Sequence, residues 1–561
     1  ANRTGEYQKI RVSLLTTRKC TQGLTLLLFS NIAGYKAYQN DIDTLNTSLE
    51  VSTPVMYGYP RDQVLMVEGG ETDNALENDP ATTRSSGGEY LVFTGLVSFD
   101  PNLNLVPELA KNWDVSADGL TYTFHLEPDA KFHNNRPVTA DDVVYSWERA
   151  ANPETKSDTV VTYLGDIKGV EEMRAGNAEH ISGLKIMDAH TLQVTLKAPV
   201  PYFIMKLTYP TGYIVDKDNV AMGVDWYRTP NGTGPYRLTR WEEKKMKVYE
   251  LFDGFYGAKP KTSAIVTLMY QGTSKQLYEQ GMIDYAGVYS SDLVRFTDPT
   301  EPLSAQLHSG VDLCTSYTTM DVTKPPFDDG KVRQAFALSV DKEKYVNVLM
   351  NGAGLPAKGL FPPALPGYSL ESKGQEYDPD KARALLAESK YNRDMPPITF
   401  TISGYGSDVS NRISGLVQMW EENLGVKITI QNIEPSHYQD AIAAGKHGQL
   451  ISEGWCADYP DPENFADILF HSETEMNRSN YSNSELDVLL ENARVEKNVT
   501  KRMEMYRQAE EIIVMDAPAI FISHGMSNTL VQPYIKGYVQ TPMGIPLERY
   551  LSIDSAVLNG E

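Results

Sequence analysis

The sequence predicts a mixed α/β fold, α+β in its local pattern and divided among more than one domain. Three observations predict it. At 561 residues the chain exceeds what one hydrophobic core usually supports, so two or three domains are expected. Segments with two-residue alternation stand beside segments of helical periodicity along most of the chain. A strand, a helix and a second strand at 398–402, 409–424 and 426–430 read as a β-α-β unit, whose crossover is expected to be right-handed.

The apolar run 63–67 reads as a buried strand, and 85–97, with Gly87 and Gly88, as the entry to a helix and a short strand. Around 120–126, Tyr122, Phe124 and Leu126 share one face and Thr121, Thr123 and His125 the other, which predicts a half-buried antiparallel strand. Thr139 ahead of Asp141 and Asp142 predicts a capped helix continuing through Arg149. Residues 192–196 alternate again until Pro199 and Pro201. A hairpin follows, from Tyr236 to Leu251 around Glu242–Lys245, then a strand at 265–270 and a helix at 274–280. Helices are expected at 331–340, 378–388, 484–494 and 501–515, and a strand at 519–522.

Apolar residues make up 41% and charged residues 22%, the balance of a soluble globular protein. The net charge of −23 argues against a nucleic-acid partner, because a phosphate backbone would be repelled. No run approaches the roughly 18 to 20 apolar residues of a membrane span. The best, Leu24 to Phe29, is expected to be a short buried or interfacial helix. Cys20 follows Thr17-Arg18-Lys19, not the small apolar residues that precede a lipidated cysteine, so no lipid anchor is expected there. Three cysteines leave one unpaired if a disulfide forms.

The stretch Gly454-Trp455-Cys456-Ala457-Asp458-Tyr459-Pro460-Asp461-Pro462 sets an indole, a thiol and a carboxylate between an apolar approach, Leu450-Ile451, and a proline turn. A carboxylate ending a buried strand beside an indole can hold a cationic group such as a ligand amine. The other reading is an Asp capping the helix that follows at 462–464.

This motif, with Asn464-Phe465 after it, resembles the signature of family 5 extracellular solute-binding proteins, the capturing subunits of peptide-type ABC importers. Four further segments agree in order: Phe124 to Phe132, Pro137 to Trp147, Asn231-Gly232-Thr233-Gly234-Pro235-Tyr236, and Lys324-Pro325-Pro326-Phe327-Asp328-Asp329. The resemblance runs from about residue 61 to the C-terminus. It implies a two-lobed periplasmic-binding-protein-like clamp (type II, cluster C) with an extra small α+β domain. Lobe I would comprise 61–96, 219–313 and 524–561, the extra domain 97–218 and lobe II 314–523, with hinge crossings near 313 and 523. Residues 1–60 fit the family poorly and have no assigned role.

The resemblance further implies a disulfide between Cys314 and Cys456, which fits an oxidising, extracytoplasmic compartment, and leaves Cys20 unpaired. Two buried free thiols are the alternative. It implies that Asp458 holds the ligand's α-ammonium. Trp455 is expected to wall a side-chain pocket, or else to fill core space, and Gly454 and Cys456 to offer backbone groups to an extended peptide. Tyr289, Tyr317, Tyr405, Tyr459 and Phe521 are candidate cleft aromatics, and His524 a further candidate contact whose other reading is a buried, satisfied histidine. The family's cations for the ligand carboxylate are missing: Ser452, Ser410 and Met350 stand at or near their positions, with Arg412 close by.

An enzyme is the rival class. The sequence has no Gly-x-Ser-x-Gly elbow, no His-Glu-x-x-His and no closely spaced cysteine pair, so neither catalysis nor a metal or other cofactor is expected. Asp458, Asp461 and Glu463 resemble a carboxylate cluster, but Pro460 and Pro462 oppose a calcium loop. The sequence reading is therefore an extracytoplasmic binding protein, with or without a membrane tether and expected to be monomeric. It would capture oligopeptides for an ABC permease, and an oligosaccharide or other non-peptide solute is the alternative ligand.

Overall fold

The computed structural model describes residues 55–70, 78–84, 89–370, 374–392, 394–545 and 548–559. The expectations for Leu24–Phe29 and Cys20 lie outside them, as do residues 85–88 of the expected 85–97 segment. Most of the expected strands and helices form with ends shifted by a few residues. The strand expected at 519–522, however, runs on to Val531, and the described part of 85–97 holds only the 3-10 turn Glu89–Leu91 before the strand Val97–Phe99. Thr121–Leu126 buries Tyr122, Phe124 and Leu126 as its alternation demands. Thr139 caps the helix Ala140–Ala151, with Asp142 accepting from the Thr139 amide at 2.9 Å in a reciprocal capping box.

Three sheets carry the architecture. The first has four strands: the hairpin Tyr236–Glu242 and Met246–Leu251, then Ala264–Leu268, then Val64–Glu68 paired parallel to it. The second is a small antiparallel sheet of Ala110–Val115, Thr121–Leu126, Thr191–Thr195 and Leu184–Asp188. Its inner face packs on Trp147, Phe203 and Leu207 within a core drawn from residues 81–214, to which Tyr459 of the signature turn also belongs.

The third sheet has seven strands. The predicted β-α-β unit is present in it, with Ile398–Ser403 and Ile428–Ile433 parallel and the helix Asn411–Leu424 between them. At its centre run two long antiparallel strands, Leu307–Met320 and Ala519–Val531. One end of the pair meets Tyr285–Gly287 and the core that holds Leu268, Leu277 and Leu530. The other meets Leu450–Cys456 and the core that holds Met320, Trp420 and Ile520. The two strands thus join separate cores, and their register shifts between Val311 and Thr315 and again between Ser316 and Tyr317. Such irregularities bend and twist a ladder where they fall.

Cys314 and Cys456 are direct partners in this ladder and form a disulfide, with Cα atoms 4.0 Å apart.

Candidate functional site

The strand Leu450–Cys456 pairs with Leu307–Met320 along its whole length, from Leu450 opposite Met320 to Cys456 opposite Cys314. On its other edge, pairing with Ile398–Ser403 stops at Ile451. From Ser452 onward that edge belongs to no ladder among the described residues, and the Ser452 carbonyl accepts from the Tyr438 hydroxyl at 2.8 Å. An unpaired edge is a template for another extended chain. Gly454 and Cys456 on it are exposed.

Beyond the strand, the chain turns so that Asp458 is half-buried in a cavity of about 110 Å³. Ala457 and Asp458 form one side of it. Tyr90, Phe93 and Thr94 come from the segment after 88, Tyr209 and Tyr213 from beside the small sheet, and Met543 and Arg549 from the C-terminal region. Burial pushes the Asp458 carboxyl up to about 6, against the opposing effects of the Tyr163 hydroxyl and the Asn464 amide. No cationic side chain pairs with it among the described residues. The turn is held by Asn464, whose Oδ1 accepts from the Asp458 amide at 3.0 Å and from the Trp455 indole at 3.1 Å. Helix capping falls to Asp461, which accepts from the Glu463 amide at 3.0 Å and is clamped by Arg502 at 2.6 and 2.7 Å. The capping role considered for Asp458 is therefore taken by another residue.

Several other candidates are placed elsewhere. Tyr317 and Phe521 are core residues whose rings meet at 6.3 Å, because their side chains point to the helix-covered face of the sheet. They are corrected from cleft aromatics to packing. His524 is also buried, bonded to Thr315 Oγ1 at 2.9 Å, and burial holds its imidazole down at about 4, so it is a neutral structural histidine. Trp455 packs against the same core as Tyr317 and does not line the cavity, so its effect on the site passes through Asn464. Tyr459 is buried, stacks near Tyr202 and donates to Glu463. Tyr289 and Tyr405 are exposed, at 71% and 72%, and stand apart from the cavity. Met350 is buried, and Ser410 caps the helix Asn411–Leu424 through the Ile413 amide at 3.3 Å. Neither supplies the missing positive charge. Arg412 is exposed, and among the described residues no carboxylate pairs with it.

Sequence reading missed Tyr163, whose ring stacks on Tyr209 at 3.7 Å while its hydroxyl faces Asp458. No spacing links it to the signature nearly 300 residues away. The Asn231–Tyr236 motif proves to be a brace for the cavity wall. A Cβ on Gly232 would sit 1.9 Å from the Val92 carbonyl oxygen, and Thr233 Oγ1 accepts from the Thr94 amide at 3.0 Å. Gly232→Ala is expected to push the 91–95 wall out of place, costing about 1 to 3 kcal/mol in unfolding free energy, with weakened ligand binding measurable by calorimetry.

A half-buried carboxylate with no paired cation among the described residues thus stands at the end of an open strand edge, between two cores. The chain belongs to the bacterial extracellular solute-binding proteins, family 5, whose sequence model matches residues 104–477. It is similar to the dipeptide-binding protein of Escherichia coli, at 30% identity over 470 residues, covering 78% of this chain and 84% of that protein. It is also similar to the periplasmic oligopeptide-binding protein OppA of Escherichia coli, at 30% over 462 residues, covering 80% and 84%. Among solved structures, the Escherichia coli murein tripeptide binding protein MppA superposes with a TM-score of 0.75 at 26% identity, over 88% of this chain and 99% of that one.

Proposed function

We propose that this protein captures oligopeptides between two hinged lobes outside the cytoplasm and delivers them to the permease of an ABC importer. The observation that carries the reading is the Asp458 carboxylate, half-buried in the cavity with no cationic side chain paired to it among the described residues. A peptide α-ammonium supplies that charge, and the unpaired edge from Ser452 to Cys456 supplies main-chain partners regardless of side chains. The Tyr163 hydroxyl, bonded to the same carboxylate, helps hold it in place for the amine. A neutral sugar would leave the carboxylate uncompensated, so the geometry favours a peptide over a sugar.

The lobe boundaries proposed are those of the family, with the two long strands as the hinge and their register shifts as its bending points. The far end of the ligand has no built cation at Ser452, Ser410 or Met350. A range of peptide lengths is therefore expected, with the terminal carboxylate in solvent or near Arg412.

Native mass spectrometry of the protein as purified tests this reading. A ladder of heterogeneous peptide masses a few residues long is the expected result, and a single sugar-like mass would overturn it.

Binding should also depend on pH with a defined sign. A proton on Asp458 competes with the ligand ammonium, so affinity is full above pH 6 and falls as pH drops through it. At pH 5 the expected Kd is about tenfold higher than at pH 7, and Asp458→Asn should flatten the profile. Calorimetric titrations across pH 4.5–8 measure both.

A further inference from the structure

The cavity that holds Asp458 has a second polar feature at its wall. Glu108, following the strand Leu105–Pro107, takes a bidentate contact from Arg549, with Nη1 at 2.9 Å and Nη2 at 3.2 Å. Ser98 Oγ donates to the same carboxylate at 2.7 Å. The Glu108 side chain is 3% exposed and that of Arg549 18%, and both residues line the cavity together with Asp458. Phe93, Val97, Tyr213 and Met543 supply apolar wall around them.

The pair is neutral as a unit and, among the described residues, not saturated. A guanidinium has five N–H donors, of which Glu108 takes two, and a carboxylate accepts about four hydrogen bonds, of which three are made here. Donors and an acceptor therefore remain beside the space next to the ligand amine. Under the peptide reading above, on which this inference rests, that space receives the ligand's first side chain. An apolar side chain there would bury those groups without partners. A lysine or an aspartate would meet the like-charged member of the pair as closely as the opposite one. A hydroxyl or amide satisfies both.

We propose that the Glu108–Arg549 pair makes this cavity selective for ligands whose first side chain is short, polar and uncharged, as in Ser, Thr, Asn or Gln. Sites built to hydrogen-bond a group discriminate strongly against analogues that lack it.

Calorimetric titration of the purified protein with tripeptides X-Ala-Ala tests the assignment. Asn or Thr at X is expected to bind at least tenfold more tightly than Leu, Lys or Asp. Arg549→Met leaves Glu108 uncompensated, and should move the preference toward Lys by tenfold or more relative to Asn, a change that a merely structural ion pair would not produce. Equal affinity for all X in the wild-type protein overturns the selectivity and leaves the peptide reading standing. Absence of binding for every tripeptide overturns the peptide reading and this inference with it. An unchanged order of preference in Arg549→Met overturns the role of the pair. Should that variant fail to fold, the wild-type order decides alone.

Discussion

Replacing Asp458 by Asn is expected to remove tight peptide binding while leaving the fold intact. The amide keeps the shape of the side chain and can still accept from the Tyr163 hydroxyl, but it cannot neutralise an ammonium. Breaking a partly desolvated charge pair costs about 3 to 5 kcal/mol, or roughly two to three and a half orders of magnitude in Kd. Stability should move the other way. The carboxyl sits at about 6 in the folded protein, above its unfolded value of 3.8. Its contribution to stability is therefore complete at low pH and is lost as pH rises through 6. Above pH 6 the ligand-free protein carries a buried, uncompensated charge, and the Asn variant does not. Thermal unfolding at pH 8 should show an unchanged or raised Tm beside the lost affinity. Unchanged affinity would remove Asp458 from the amine site, and a large drop in Tm would make its role structural.

That opposition of binding and stability marks where local sequence rules give way. Much of the scaffold was legible: Tyr122, Phe124 and Leu126 alternate because that strand has one dry face, and the β-α-β unit shows its helix by period. Of the long central strands only the start of one, 519–522, was legible. Residues His308 to Asp312 and Ser523 to Asn528 are polar and irregular, yet they are extended because each strand has the other as its partner. Local propensity carries no trace of a pairing more than 200 residues apart in sequence. The same gap explains Tyr317 and Phe521. An aromatic residue on a two-faced strand fits either side, and only the helices packed on one face decide. Asp458 was singled out through the signature motif around it, whereas Glu108 and Arg549 reach the cavity, and Tyr163 reaches the Asp458 carboxylate, from other parts of the chain.

Removing the crosslink, by Cys314→Ser with Cys456→Ser, is expected to cost about 3 to 5 kcal/mol of unfolding free energy. The two cysteines are 142 residues apart in sequence, so the bond closes a long loop and restricts the unfolded chain strongly. The effect on the site should be much smaller. The strand that carries the signature is held by a continuous run of ladder partners from Leu450 opposite Met320, and the Ala457 amide donates to the Leu313 carbonyl at 2.8 Å just beyond the bond. Those bonds fix the approach to Asp458 without help from sulfur, while Asn464 fixes the turn. Denaturant unfolding with and without reductant should therefore show a lower midpoint for the variant and for the reduced wild-type protein. Peptide affinity under native conditions should stay within about tenfold of the parent. A collapse of affinity in the folded variant would mean that the disulfide, and not the ladder, sets the position of Asp458. Unaltered stability would overturn this expectation, as when the unfolded chain is already restrained in that loop.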